Sequence, residues 1–531
     1  MTQSKNILFI MCDQLRWDYL SCYGHPHLHT PNIDWLAENG VRFDRAYIQS
    51  PVCGPSRACI YTGRYQTTLG VRHNGYPLRM DELGLGDYLR PLGMRTAVAG
   101  KTDLHRHPES ATYLGIDLSA EENTLLREVG FEPFDRDSGN HPTQLVHNQG
   151  QRFRYNDYLN SLGYEAENPW ETYANSGVDE AGNVVSGWYN RNAKYPANLP
   201  EEHTETPYMT NRAIEFMEAA DDEPWCLHLG YIKPHWPYIA PAPYHNMYGP
   251  EHILPANRTE AERTPPYHPI THGLLNYCDD EGFVREEVRQ TVIPTYMGLV
   301  KQVDDHLGRL FAWMGTHGLM ANTMIILTSD HGDYLGDHWM TDKFWFHEEA
   351  ARVPLLIYDP SPEADATRGT ACDELVESID IVPTCVEYAG GEPNPQRLEG
   401  RSLMPLLRGE LPDDWREFVI CEEDYSPLTI RHHLNLEVND ARATMLRTKR
   451  WKYILHEVFR PQLYDMEKDP QEQHDLGDDP AYEDTRRELH EKMFRWFRGR
   501  ALRFTRPDSF TMMRSRPKWA NEMSGVRIGY W

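Results

Sequence analysis

The chain has 531 residues, with 53 Lys or Arg against 80 Asp or Glu, so its formal net charge is −27 with neutral histidines. An acidic surface repels phosphate backbones and anionic lipids, so nucleic acids and membrane surfaces are not expected as partners. A hydrophobic fraction of 40% and an aromatic fraction of 11% can fill large cores, which excludes a disordered chain.

Short apolar runs alternate with helical patterns through most of the chain. Strands are predicted at residues 6–11, 95–99, 225–229, 323–329 and 353–358. Helices are predicted at residues 32–39, 210–219 and 291–314. Strands and helices in repeating order predict an α/β fold, in which a large and mostly parallel sheet lies between helices.

The pattern changes after about residue 410. Short antiparallel strands are predicted at 418–421, 443–446 and 452–456, and a charged amphipathic helix at 482–499. We therefore predict a catalytic α/β domain over 1–410 and a small α+β domain over 411–500. Residues 501–531 would form an arm, which either contacts another subunit of a homo-oligomer or frays as a tail. Residues 104–205 are rich in loops and predict an insertion over the active face.

The apolar run at 7–11 is too short for the core of a signal peptide, and no apolar segment reaches the length of about 18 residues that a membrane helix needs. The nine cysteines form no CxxC pair and no zinc-binding spacing. An odd number of scattered cysteines is typical of reduced thiols, so we expect a cytoplasmic protein.

Polar side chains follow the predicted strands at their carboxyl ends. Asp13, Lys101, His235 and the pair Asp330-His331 each come just after a strand. Ligands of such sheets bind beyond the carboxyl ends of the strands, so these side chains are expected to meet at one edge. Asp13 with its neighbour Gln14, and Asp330 with His331, offer the oxygen and imidazole ligands of a divalent cation, Ca²⁺ or Mn²⁺ being the expected ions.

The most specific element is Cys53-Gly54-Pro55-Ser56-Arg57, which is followed by Thr62-Gly63-Arg64. With this C-x-P-x-R motif, the chain resembles the sulfatase family of the alkaline phosphatase superfamily. The resemblance extends over nearly the whole sequence. It includes NILFIMCDQ at the start, GKT at 100–102, HLGYIKPHWPY, IILTSDHGDYLGDH, Lys343, RVPLLIYD and LYDMEKDPQEQHDL. The segment from His228 to Tyr248 is most similar to the phosphonate monoester hydrolase branch.

The resemblance implies that Cys53 is oxidised to formylglycine by a maturation enzyme and that its hydrate supplies the nucleophile. Arg57 would hold this side chain, His235 would protonate the leaving group, and Lys101 and Lys343 would neutralise the bound anion. Asn74, Thr102 and His105 are the expected substrate-binding residues. The implied metal ligands are Asp13, Gln14, the modified Cys53, Asp330 and His331.

Two departures from the family pattern bear on the substrate. Phosphonate hydrolases usually have Tyr where Lys101 stands, so Lys101 favours a sulfate ester. Sulfatases usually have His where Asp103 stands, and His105 is an alternative for that role. We therefore predict a hydrolase of sulfate esters, arylsulfatase in type, that also accepts phosphonate monoesters and phosphodiesters. The alternatives are a phosphonate monoester hydrolase with the reverse preference and a silent relative in which Cys53 remains a thiol.

Four aromatic or histidine residues close to Lys343 in the sequence each have two possible roles. His338 and His347 either line the cleft or brace Lys343, and bracing is favoured. Trp345 and Phe346 either shape a pocket for the leaving group or pack in the core.

Overall fold

A computed structural model describes residues 5–137, 154–277 and 282–500, and these form sixteen strands and fifteen α-helices. The strands are β1 Asn6–Asp13, β2 Val41–Phe43, β3 Ala46–Tyr47, β4 Arg95–Gly100, β5 Glu132–Arg136, β6 Ser176–Val178, β7 Val184–Ser186, β8 Trp225–Pro234, β9 Thr323–Ser329, β10 Leu355–Tyr358, β11 Thr370–Cys372, β12 Val376–Glu377, β13 Phe418–Asp424, β14 Arg442–Thr448, β15 Trp451–His456 and β16 Gln462–Asp465. The helices are α1 Pro31–Asn39, α2 Cys53–Thr62, α3 Gln66–Leu69, α4 Leu85–Leu89, α5 Pro108–Tyr113, α6 Thr124–Arg127, α7 Arg154–Ser161, α8 Glu205–Ala220, α9 Pro269–Tyr277, α10 Glu286–Thr316, α11 Glu348–Ala351, α12 Ile381–Tyr388, α13 Met404–Leu407, α14 Thr429–His433 and α15 Glu483–Gly499.

The central sheet has eight strands in the order β11-β2-β10-β9-β1-β8-β4-β5. Every neighbouring pair is parallel except the two that involve β10, which runs antiparallel to both β9 and β2. The predicted mostly parallel α/β sheet is confirmed.

Strand β1 is buried on both faces, and its alternate side chains enter two different cores. Ile7, Phe9 and Met11 belong to one cluster, whereas Leu8 and Ile10 belong to the other. Since successive side chains of a strand point to opposite faces, both faces of the sheet are covered. The long helices α8 and α10 lie on the second face, and α2 and α12 lie on the first.

The carboxyl-terminal part contains the predicted antiparallel sheet, in the order β13-β14-β15-β16. Helix α15 packs on it through Leu489, Met493 and Trp496. The edge strand β13 also joins the larger part, because the Glu422 amide donates to the Gln49 carbonyl at 2.9 Å. The boundary at residue 410 stays a prediction, and the proposed arm at 501–531 lies outside the described residues.

The stretch at 104–205 contains short helices, the β6–β7 hairpin and loops, and its residues 138–153 lie outside the described part. Among the described helices, none combines the length and apolarity that crossing a membrane requires.

Candidate active site

The site lies at the carboxyl ends of the two central strands, β1 and β9. These strands are parallel neighbours with Cys12 opposite Ser329, so the residues that follow each strand lie side by side. Asp13, Cys53, Asp330 and His331 each offer a ligand atom, and these four atoms all lie within 4.8 Å of one another. All four residues are buried. Asp13, Asp330 and His331, which were expected to meet at one edge of the sheet, therefore lie close together, and Cys53 joins them from helix α2.

Gln14 completes this cluster through its amide oxygen. Its Nε2 donates to Asp333 Oδ2 at 2.6 Å and lies 3.3 Å from the Tyr238 hydroxyl. These contacts fix the amide, so Oε1 faces Lys343, whose Nζ is 3.4 Å away. Gln14 has a φ of 64°, an uncommon conformation for a residue with a side chain.

His331 is oriented so that one ring nitrogen is available to a ligand. Its Nδ1 lies 2.8 Å from the Gly332 carbonyl and donates to it, which leaves the lone pair on Nε2. That Nε2 is 3.0 Å from Cys53 Sγ, and Cys53 Sγ is 3.9 Å from Asp13 Oδ1. Cys53 is the first residue of α2, and burial raises the pKa of its thiol to about 12.

Arg57 lies one turn along α2 from Cys53 and binds both ligand carboxylates. Its Nε donates to Asp330 Oδ2 at 2.7 Å, and its terminal nitrogens reach Asp13 Oδ2 at 3.3 Å and the Lys101 carbonyl at 2.9 Å. Burial works against this charge, but Asp330 and Asp13 hold the pKa of the guanidinium well above its ordinary value. Arg57 therefore orients the two carboxylates as well as balancing their charge.

Lys101 is the second buried cation at the site. Its Nζ is 2.5 Å from Asp13 Oδ2 and 3.1 Å from Asp103 Oδ2. Burial alone would lower the pKa of Lys101, but Asp103 and Asp13 raise it well above the usual range. Conversely, burial would raise the pKa of Asp13, but the charges of Lys101 and Arg57 hold it well below the usual range.

His235 and Lys343 form the opposite wall. Lys343 Nζ lies 3.2 Å from His235 Nε2 and 3.1 Å from Cys53 Sγ. His235 Nδ1 donates to the Trp236 carbonyl at 2.6 Å, which fixes the ring. Burial lowers the pKa of His235 well below its ordinary value, and the charge of Lys343 adds to this effect. The imidazole is therefore neutral, and Nε2 accepts a hydrogen bond from Lys343.

The three expected substrate-binding residues differ in their relation to the cluster. Asn74 Oδ1 accepts a hydrogen bond of 2.7 Å from the Gly54 amide, so Asn74 lies beside Cys53. Thr102 is buried, and its hydroxyl has no hydrogen-bond partner among the described residues. The main-chain carbonyl of His105 accepts a hydrogen bond of 2.9 Å from the Leu78 amide. Asp103, not His105, makes the observed ion pair with Lys101.

The structure shows what the aromatic neighbours of Lys343 contact, and bracing of Lys343 by His338 and His347 stays a prediction. Trp345 and Phe346 are fully buried, and the Trp345 ring packs against Phe346, Tyr425 and His456, so the core-packing reading holds. His338 Nδ1 lies 2.6 Å from Glu262 Oε1, and the His338 ring stacks on His347 at 3.8 Å.

Sequence reasoning missed the residues that hold Gln14. Asp333 belongs to the D-H-G-D run, where its spacing from Asp330 was the available signal, but Tyr238 carries no such signal. The Tyr238 hydroxyl donates to Asp333 Oδ2 at 2.6 Å, and burial raises the pKa of Asp333 to about 6. This pair determines which end of the Gln14 amide faces the cluster.

The chain is similar to known proteins along nearly its whole length. The profile of the sulfatase family matches residues 5–391, and that of the carboxyl-terminal part of N-sulphoglucosamine sulphohydrolase matches residues 336–498. The multifunctional alkaline phosphatase superfamily protein PehA of Trinickia caryophylli is 31% identical and is aligned over 93% of this chain and 95% of its own. An arylsulfatase of Clostridium perfringens is 28% identical, over 94% of this chain and 96% of its own.

The chain is also similar to solved structures along nearly its whole length. The phosphonate monoester hydrolase of Silicibacter pomeroyi superposes with a TM-score of 0.81 at 28% identity, covering 94% of this chain and 96% of its own. The phosphonate monoester hydrolase of Agrobacterium radiobacter superposes with a TM-score of 0.79 at 28% identity, covering 93% of this chain and 96% of its own.

Proposed function

Because the chain belongs to the sulfatase family of the alkaline phosphatase superfamily, we propose that it hydrolyses sulfate esters at the cluster around Cys53. The observation that carries this proposal is the convergence of Asp13, Cys53, Asp330 and His331 within 4.8 Å. Three buried cations, Arg57, Lys101 and Lys343, surround the same four residues.

The donor set fits one divalent cation. Two carboxylates and an imidazole nitrogen converge with Cys53, and the Gln14 amide oxygen lies 3.4 Å from Lys343 Nζ, which itself contacts Cys53 Sγ. These donors suit Ca²⁺ or Mn²⁺. Asp13 Oδ2 is buried and makes no ordinary hydrogen bond among the described residues, its contacts being the ion pairs with Lys101 and Arg57. A bound cation would supply electrophilic stabilisation of the developing negative charge.

Cys53 fits the modification that the family uses. A thiol buried at this depth stays protonated at neutral pH and is therefore a poor nucleophile. Conversion to formylglycine would supply an oxygen nucleophile at the same position. Arg57 and Asn74 would keep the start of α2 in place, since Arg57 binds both carboxylates and Asn74 holds the Gly54 amide.

The charges favour a monoanionic ester. The ion pairs at the cluster join three cations to four carboxylates, and a divalent cation would bring the net charge of these groups to one positive charge. The carboxylates are Asp13, Asp103, Asp330 and Asp342, and the cations are Arg57, Lys101 and Lys343. A sulfate monoester carries one negative charge, which complements this site. At physiological salt, distant acidic residues are screened over about 8 Å.

His235 and Lys343 would act together at the leaving oxygen. Since His235 Nδ1 donates to the Trp236 carbonyl, the proton for a leaving group must come through Nε2. Lys343 Nζ lies 3.2 Å from that nitrogen, and although burial opposes its charge, Asp342 raises the pKa of its ammonium, so Lys343 would keep its proton and donate a hydrogen bond to the leaving oxygen. His235, once protonated at Nε2, would act as the general acid. Such acid catalysis contributes a factor of roughly 10²–10⁴ in rate.

A second candidate is a phosphonate monoester hydrolase and phosphodiesterase. The observation that favours it is the similarity, at TM-scores of 0.81 and 0.79, to two phosphonate monoester hydrolases. Phosphonate monoesters and phosphodiesters also carry one negative charge, so the same charge balance accepts them. We place sulfate esters first because Lys101, bound to Asp13, adds a cation where that branch usually has Tyr.

Two measurements test the proposal. Mass spectrometry of the peptide that contains Cys53, from a host with the maturation enzyme, should show loss of H₂S and gain of one oxygen; an unmodified thiol would support a silent binding protein instead. Steady-state kinetics on an aryl sulfate and an aryl phosphonate monoester with the same leaving group should give the higher kcat/KM for the sulfate. A clearly higher value for the phosphonate would establish the second candidate.

The proposal includes two further properties of the protein. A cytoplasmic location would keep the other cysteines reduced, which thiol titration of freshly isolated protein would test. Assembly into a homo-oligomer through residues 501–531 would be tested by sedimentation of the full chain and of a chain that ends at residue 500.

A further inference from the structure

A second feature of the active face is a large aromatic pocket beside the catalytic cluster. Its volume is about 950 Å³, which is near the upper end of the range for small-molecule sites. Six aromatic side chains line it: Trp188, Tyr189, Trp236, Tyr238, Phe283 and Phe344. A cavity of this size exceeds what a single ring requires.

The pocket adjoins the catalytic groups through the chain itself. Trp236 directly follows His235, and Phe344 directly follows Lys343. Lys343 Nζ lies 5.8 Å from the centre of the Trp236 ring. The His235 and Trp236 rings have centres 4.3 Å apart, so in the proposed function a group attached to the leaving oxygen would lie next to the Trp236 wall of this pocket.

The aromatic walls are held in place by specific contacts. Trp236 Nε1 donates to Asp342 Oδ1 at 3.3 Å, and Trp188 packs edge to face on Trp236 with ring centres 5.6 Å apart. Trp188 Nε1 also donates to Glu171 Oε1 at 2.6 Å. Phe344 stacks on His73, with ring planes 4° apart. Preorganised rings bind a planar ligand at little entropic cost.

The charged groups of the pocket offer no net charge to a ligand. Arg285 pairs with Glu287 at 3.3 Å, and Arg191 lies 4.8 Å above the Tyr189 ring. Asp342 pairs with Lys343 at 3.5 Å. The two cations and two carboxylates of the lining therefore balance, which favours an uncharged organic group.

We propose that this pocket binds the leaving group of the ester as an uncharged aromatic system of more than one ring, held by Trp188, Trp236 and Phe344. This inference rests on the proposed function, which places the ester at the cluster around Cys53. It assigns Trp188 as a specificity residue, because Trp188 lines the pocket and packs against Trp236.

The test compares binding and turnover of 2-naphthyl sulfate and phenyl sulfate. Calorimetric binding to the full-length Cys53→Ala protein, which needs no turnover, should be about tenfold tighter for the naphthyl ester. Adding Trp188→Ala should remove this preference, and Trp188→Phe should restore most of it. Tyr113→Ala, which changes an aromatic residue that is 89% exposed and not part of the lining, is the control.

The outcomes separate the two proposals. Equal affinity for the two esters, or a naphthyl preference that survives Trp188→Ala, overturns the pocket assignment even if the wild-type enzyme hydrolyses both. Tighter naphthyl binding that depends on Trp188, without turnover by the wild-type protein, upholds the pocket and overturns the proposed function.

Discussion

His338 forms a buried ion pair with Glu262, and the contribution of this pair to stability should depend on pH. The imidazole is buried between two carboxylates, with Nδ1 2.6 Å from Glu262 Oε1 and Nε2 3.6 Å from Glu349 Oε2. Burial opposes the charged form, but Glu349 and Glu262 outweigh it and raise the pKa of His338 from 6.5 to about 9. His347, which stacks on His338, is neutral because burial and the adjacent charge lower its pKa.

The magnitude follows from linkage between protonation and folding. Since each pKa unit corresponds to about 1.4 kcal/mol, this rise contributes about 3 kcal/mol to the free energy of unfolding. A raised pKa in the folded state means that the contribution is complete below pH 6.5. It decreases as the pH rises and is lost above about pH 9.

The perturbation is His338→Asn, because His338 has a φ of 50° and Asn tolerates this conformation. Urea unfolding, followed by tryptophan fluorescence from about pH 6 to pH 9.5, measures wild type and variant in parallel. The difference in the free energy of unfolding should shrink by about 3 kcal/mol across that range, while titrations of groups that His338 does not contact cancel. His474→Asn, at a side chain that is 78% exposed, should show no such change. A His338→Asn difference that stays constant with pH would refute the reasoning.

Three further predictions follow from buried contacts. The Asp330→Ala variant should lose the metal, and its free energy of unfolding should fall by about 3–5 kcal/mol because Arg57 loses its closest partner. Elemental analysis measures the first effect and urea unfolding the second. Asp365→Ala, at an exposed side chain, is the control. Lys452→Met should lower the free energy of unfolding by about 3–5 kcal/mol, because it removes the buried ammonium that lies 2.6 Å from Glu472 and 3.0 Å from Glu348. The control is Lys449→Met, at a partly exposed ion pair, which should cost under about 1 kcal/mol. Equal costs for the two lysines would contradict the burial argument. Gly100→Ala should prevent folding, because a Cβ there would lie 2.0 Å from the Gly230 carbonyl oxygen. Gly93→Ala is also at positive φ, but its Cβ would have no atom within 4 Å, so it should cost only about 1–2 kcal/mol. Thermal melts followed by circular dichroism distinguish the two variants.

The sheet and the positions of Asp13, Asp330 and His331 could be predicted from the sequence, because each strand that delivers them is a short apolar run ending at a polar residue. Thus 323–329 was predicted with the bounds that β9 has, and Asp330 follows it. The same patterns predicted only the core of α10, which begins at Glu286 and ends at Thr316, since its polar ends lack apolar periodicity. Cys53 was identified through the resemblance of its motif to the sulfatase family. The partners Asp333 and Tyr238 were missed because they come from separate segments, and no local pattern links them.

Backbone conformation explains why the orientation of the segments around the site could not be predicted. Gln14, Asp103, Asp342 and Phe344 all have positive φ, between 53° and 83°, although none is glycine. Each such residue costs about 1–2 kcal/mol and persists only where its surroundings hold it. Side-chain contacts stabilise three of these conformations: Asp333 binds Gln14, Lys101 binds Asp103, and Trp236 binds Asp342. The strain therefore lies in the segments that orient Lys101, Lys343 and the aromatic pocket, where it presents side chains that a regular turn would direct elsewhere.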